Sequence, residues 1–273
     1  REYAAERLTA LGVAAAIHDR HARHFVTEGD RWVAASLGSG AVEARRALET
    51  ERHNLLAICE RALTAAPSIA TASHGLAAVL ILGALLPELG QHQLHARLLE
   101  RALAAAALVD APAGRVALAL IARGRAEAAA GRGDAALRRL AQAHPLAQRG
   151  GSAPAEGEAL AALSIVQRQG GRLAEARQLA DAAVRVHRQD GDRGRLGVAL
   201  GSLASIDLEA GDVTAAAARY GEALSHLRAV GDRLHEGLTL GNLGNLAQDT
   251  GRLELARRRY RGAIAVYGER GDH

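Results

Sequence analysis

The run Gly211-Asp212-Val213-Thr214-Ala215-Ala216-Ala217-Ala218-Arg219-Tyr220-Gly221-Glu222-Ala223-Leu224-Ser225-His226-Leu227-Arg228-Ala229-Val230-Gly231-Asp232 decides how this chain folds. It is bounded by two Gly-Asp pairs. Glycine admits the left-handed backbone that closes a helix, and the aspartate beside it can cap the next one. Between the pairs, Val213, Ala216, Ala217, Tyr220, Ala223, Leu224 and Leu227 recur at the spacing of one helix face. The segment before it repeats the pattern with Leu196, Leu200, Leu203 and Ile206. Amphipathic helices of roughly 14 to 18 residues, about 21 to 27 Å long, are expected.

The same punctuation extends outward. Gly131, Gly171, Gly211 and Gly251 follow one another at 40-residue steps, with Gly90 placed 41 residues before the first. A second ladder, Gly151, Gly191, Gly231 and Gly271, runs halfway between, and its last three members each precede an Asp. Two turns per period mean two helices per period, so the chain reads as all-α, a string of antiparallel helix pairs stacked into a superhelical solenoid.

Small residues stand where paired helices must approach: Ala204 with Ala216 and Ala223, then Gly244 with Ala256 and Ala263, with Tyr220 and Tyr260 between them. The units Leu203-Ala204, Gly211-Asp212, Ala216, Tyr220, Ala223 and Leu243-Gly244, Gly251, Ala256, Tyr260, Ala263 resemble the tetratricopeptide repeat. Weaker units follow Leu163-Ser164 with Ala180 in the aromatic position, then Arg123-Gly124 and Leu82-Gly83. Tetratricopeptide periods are usually about 34 residues; the longer step here implies longer helices and resembles the long repeats of bacterial signal-transduction ATPases. About five helix pairs are expected over residues 67–273.

Residues 1–66 differ, holding the only Trp (Trp32), the only Phe (Phe25) and the closely spaced His18, His21 and His24. They are expected to form an N-terminal helical cap. The motifs Arg1-Glu2-Tyr3-Ala4-Ala5-Glu6-Arg7-Leu8, Arg20-His21-Ala22-Arg23-His24-Phe25 and Leu48-Glu49-Thr50-Glu51-Arg52-His53-Asn54-Leu55-Leu56-Ala57 resemble the segment joining an ATPase core and winged helix to the repeats in bacterial LuxR-type and antibiotic-regulator-type transcription factors. The resemblance implies a sensor arm that recognises an inducer or a partner protein within a larger ATP-dependent regulator. Opening without Met and stopping in mid-pattern, the sequence is expected to be a piece of a longer chain.

Composition narrows the chemistry. Hydrophobic residues make up 49% and aromatics 2%, with five Pro, which favours helix over strand. No lysine occurs, so neither a Walker-type phosphate loop nor lysine Schiff-base chemistry is available. No cofactor is expected. The net charge is +4, and arginines alternate with acids as in Glu175-Ala-Arg177, giving solvated faces rather than a phosphate-binding stripe. Cys59 stands alone, so no intrachain disulfide can form, and a cytoplasmic setting is expected. The most apolar run, Leu76 to Leu86, ends at Pro87-Glu88, short of the ~18 residues a bilayer requires.

Several sharper signals have plainer readings. His18, His21 and His24 are spaced by three, whereas one-helix metal sites usually use four with a carboxylate, so packed or solvated histidines are expected. Gly124-x-Ala126 and Gly241-x-x-Gly244 follow no strand and read as close helix-packing positions. Ser164, Ser202 and Ser205 lack a nucleophile elbow. Arg257-Arg258-Arg259-Tyr260-Arg261 reads as a solvated helix back with Tyr260 facing the core.

Binding is expected on the concave face, which the first helix of each pair lines. There stand Asn242, Asn245, Gln248 and Asp249, their counterparts Ser202 and Ser205 one unit earlier, and Arg168 before that. Asn offers a donor and an acceptor at once, as an extended peptide requires. Asn245 also falls where some peptide-binding tetratricopeptide domains carry a clamp asparagine, although the lysines of that clamp are absent. A protein or peptide partner is therefore expected, or a small-molecule inducer; self-association through the apolar face at the end near Gly271 is a further expectation. A direct RNA-binding helical repeat is the rival from another class, disfavoured because equivalent inner positions vary from Arg168 to Leu208 to Gln248.

Overall fold

The computed structural model describes residues 10–64, 66 and 68–270. The Arg1 to Leu8 motif and Gly271 lie outside the described residues. Among the described residues twelve helices follow one another: α1 (Ala14–Ala35), α2 (Ala41–Thr64), α3 (Ile69–Leu82), α4 (His92–Ala106), α5 (Ala113–Ala129), α6 (Gly133–Arg149), α7 (Ala153–Gln169), α8 (Leu173–Asp190), α9 (Arg193–Glu209), α10 (Val213–Val230), α11 (Arg233–Asp249) and α12 (Leu253–Arg270). The described residues include no strand, and none of their helices is long and apolar enough to cross a membrane.

The glycine ladder is a ladder of left-handed turns. Gly90, Gly131, Gly151, Gly171, Gly191, Gly211, Gly231 and Gly251 all have φ between 60° and 84°, a region that costs an L side chain strain. Aspartate caps follow where Asp follows glycine. The side chains of Asp192, Asp212 and Asp232 accept from the amides of Arg195, Ala215 and His235 at 2.9, 3.0 and 3.0 Å. Ser152 does the same for α7, with Pro154 in its first turn, where a missing N–H is tolerated.

Paired helices interlock by exchanging size. Tyr260 lies where a Cβ on Gly244 would stand, Leu140 does so over Gly124, and Tyr220 fills the equivalent gap beside Ala204. A second set runs through the other end of each pair: His187 packs on Gly157, Leu227 on Gly197 and Tyr267 on Gly237, with Ala147 and Ala117 both buried in the unit before. Gly241 departs from expectation. No atom lies within 4 Å of where its Cβ would be, so it is not a packing position.

The core is continuous across the cap. Ala22, Val26, Leu48, Leu55, Ile58 and Cys59 share one buried cluster with Leu76 to Leu86, Leu98, Leu99 and Ala119, and Phe25 and Trp32 pack against it. Packing therefore runs unbroken past residue 66. His21 is fixed there, with Nε2 3.1 Å from Asn54 Oδ1 and Nδ1 accepting from Arg61 Nη2 at 2.9 Å. Both ring nitrogens are spent inside the cap.

Neighbour-to-neighbour stacking does not account for every contact. The amide of Leu234, in the first turn of α11, donates to the carbonyl of Leu37 in the α1–α2 corner at 3.2 Å. The superhelix curves far enough to bring residues from its two ends together, where sequence pattern alone suggests an elongated body.

Candidate functional site

A groove pocket of about 160 Å³ opens among the first helices α7, α9 and α11. Of the residues expected there, Arg168, Ser202, Ser205 and Asn242 line it together. Ile165, Val198 and Leu238 supply apolar wall, and His235 and Thr239 add polar groups. Leu238 is 50% exposed, a large aliphatic surface held open in the groove. Sequence reading missed His235, Leu238 and Thr239, although spacings of three and four along α11 set them on the Asn242 face.

Asn245, Gln248 and Asp249 lie outside this pocket. The Tyr260 hydroxyl reaches over from α12 and donates to Asn245 Oδ1 at 2.7 Å, with Gln248 Oε1 at 3.1 Å. One unit earlier the Tyr220 hydroxyl pairs with Ser205 Oγ at 2.8 Å. The two tyrosines expected to be core residues thus pack their rings between paired helices and bond their hydroxyls to polar side chains of the first helix. They tie up part of the polar capacity that the sequence assigns to Asn245 and Ser205. Burial raises the Tyr220 pKa, partly offset by the Ser205 hydrogen bond, so the hydroxyl keeps its proton and can donate. Asp249 is exposed at the C-terminal end of α11.

Charge along the groove is internally neutralised. Arg168 pairs with Glu209 across α7 and α9, and Glu158 bridges Arg125 at 3.2 Å and Arg195 at 3.0 Å. Asp192 accepts from Arg195 at 2.5 Å, which lowers the Asp192 pKa against its partial burial. Asp207, fully buried in α9, is held between Arg177 at 3.2 Å and Arg219. What remains available is uncharged hydrogen-bonding capacity beside aliphatic surface. Ser202 Oγ donates to the Val198 carbonyl at 3.2 Å and keeps its lone pairs. Ser164 Oγ, fully buried at the pocket edge, has no hydrogen-bond partner among the described residues.

Neither a known family profile nor any curated protein matches this sequence. Solved structures share its fold. A Rap protein complexed with Competence and Sporulation Factor superposes with a TM-score of 0.68 at 11% identity, covering 94% of this chain and 77% of that one. BtubC (BKLC) from P. vanneervenii gives 0.59 at 16% identity, over 92% and 93%. The tetratricopeptide-repeat sensor protein of the signal-transduction ATPase (STAND) class from Pyrococcus horikoshii gives 0.59 at 17% identity; 72% of this chain matches 30% of that one. The chain has a tetratricopeptide-like solenoid fold.

Proposed function

We propose that this chain is a non-catalytic recognition module that binds an extended peptide or a protein segment in its concave groove. The observation that carries the reading is the convergence of Ser202, Ser205, Thr239 and Asn242 beside the exposed Leu238, on three helices where Arg168 already pairs with Glu209 and Arg195 with Glu158. Neutral donors and acceptors next to aliphatic wall suit a peptide backbone with an apolar side chain. A pocket of about 160 Å³ holds one such side chain rather than a large cofactor. The Rap structure complexed with Competence and Sporulation Factor supports this reading by its fold.

The wider setting is a larger ATP-dependent signalling or transcriptional regulator, in which this arm senses an inducer or partner. Likeness to the STAND sensor structure and the linker motifs at Arg20 and Leu48 support that setting. Self-association through α12, where Ile264 is 70% exposed, belongs to the same reading.

Selection of a random-peptide library on the chain, followed by calorimetric titration of the selected peptide, tests the groove. Ser202→Ala with Asn242→Ala should weaken binding at least tenfold, the loss of two hydrogen bonds worth about 0.7 kcal/mol or more each. Unchanged affinity would refute it.

A further inference from the structure

The contact between Leu37 and Leu234 has a bearing on how the groove is reached. A helix leaves its first amides without intrahelical partners. In α11 the Asp232 side chain takes the His235 amide, and the Leu234 amide is taken by Leu37, from the other end of the superhelix. At the equivalent position of α7 stands Pro154, which has no amide to give. The helix start therefore does not need this bond for itself. Beside it the backbones run close, since a Cβ on Gly38 would stand 3.3 Å from the Gly231 carbonyl.

The seam is otherwise thin. Arg45 pairs with Glu49 and Glu88 on the cap side, while Arg233 pairs with Glu236 and Glu269 on the other. Next to the bond lies a cavity of about 500 Å³ edged by Val33, Leu37, Val42 and Leu234 rather than a filled core. Leu234 also directly precedes His235, and His235, Leu238 and Asn242 line the groove pocket. Closure is thus made by the same helix turns that present the binding residues.

We propose that the α1–α2 corner is a latch across the concave groove. Shut, it leaves the groove open to small molecules and slows entry of a polymer chain; released, it admits the chain from the side. The latch rests on the groove being the binding surface, and it regulates that surface by access.

The test needs no ligand. A Ser202→Cys variant places a thiol in the groove; Cys59, buried and with its thiol pushed up to about 12, is a slow competitor. Its alkylation rate is measured with N-ethylmaleimide and with a polyethylene-glycol maleimide, and the polymer-to-small ratio reports side access. Leu234→Pro, a residue α7 already carries at the equivalent Pro154, deletes the donor and should raise that ratio by up to about tenfold, the opening gained on losing one hydrogen bond. Gly38→Val, which crowds the Gly231 carbonyl and keeps the amide, should raise it too and decides the matter if Leu234→Pro loses helicity. An unchanged ratio in the folded variants, or equal rates for both reagents in the parent, overturns the latch. The two readings fail separately: either of those results leaves peptide recognition standing, whereas a library that yields no groove-bound peptide overturns recognition whatever the ratio does.

Discussion

Substituting His187 by Leu should both stabilise the solenoid near neutrality and flatten its response to acid. His187 is 2% exposed, its ring lies on Gly157, and its Nδ1 has no hydrogen-bond partner among the described residues. Burial lowers its pKa, Arg195 lowers it further, and Glu158, Asp192 and Asp190 pull the other way. The folded-state value thus lies below the unfolded value of about 6.5, so on acidification the unfolded chain takes the proton first. The stability involved is fully present above pH ~6.5. It drains away as the pH falls from there toward the folded value, by at most about 1.4 kcal/mol per pH unit for one proton. Leu227 occupies the equivalent place over Gly197, so leucine is already accommodated at this register. At pH 7 the exchange removes an unpaired buried nitrogen, a gain of about 1–3 kcal/mol. Urea denaturation followed by circular dichroism between pH 5 and pH 8 measures both effects. Identical slopes below pH 6.5 in parent and variant would refute the argument. His95, His74, His21 and His18, likewise lowered by burial, supply the slope that remains in the variant.

Two glycines three residues apart should respond with opposite signs. Gly244→Ala puts a Cβ 2.5 Å from Tyr260 and should cost about 1–3 kcal/mol, whereas Gly241→Ala meets open space and should gain up to about 1 kcal/mol, both read by urea denaturation. Tyr220→Phe, losing the Ser205 bond, should cost about 1 kcal/mol in the same assay with no loss of helicity. Concentration-dependent self-association of the parent in analytical ultracentrifugation should be abolished by Ile264→Arg; a parent that stays monomeric throughout contradicts the α12 interface.

Much of this fold is written locally. A Gly-Asp pair specifies one turn and one cap without reference to distant residues, so a step of 40 reports helix pairs directly, and the turns at Gly191, Gly211 and Gly231 follow. The size exchange across pairs is less visible because its partners are 30 residues apart and change identity. Glycine recurs at 157, 197 and 237, but its filler is His187, then Leu227, then Tyr267. The recurrence of the glycines alone carries the signal. The site was half legible for a similar reason. Helical spacing places Ser202, Ser205, Asn242 and Arg168 on one face, yet whether Asn245 is free depends on how far the Tyr260 hydroxyl reaches. The Leu37 contact leaves no trace in any period, because it results from curvature summed over the intervening helix pairs.

Photo-crosslinking locates the recognising face. A benzophenone amino acid replaces either Leu238, 50% exposed in the groove, or Gly221, exposed on α10 with open space around it, and the library-selected peptide is added. Capture from position 238 and none from 221 is the outcome expected. Capture from 221 alone would place the binding surface on the outer helices and contradict the account.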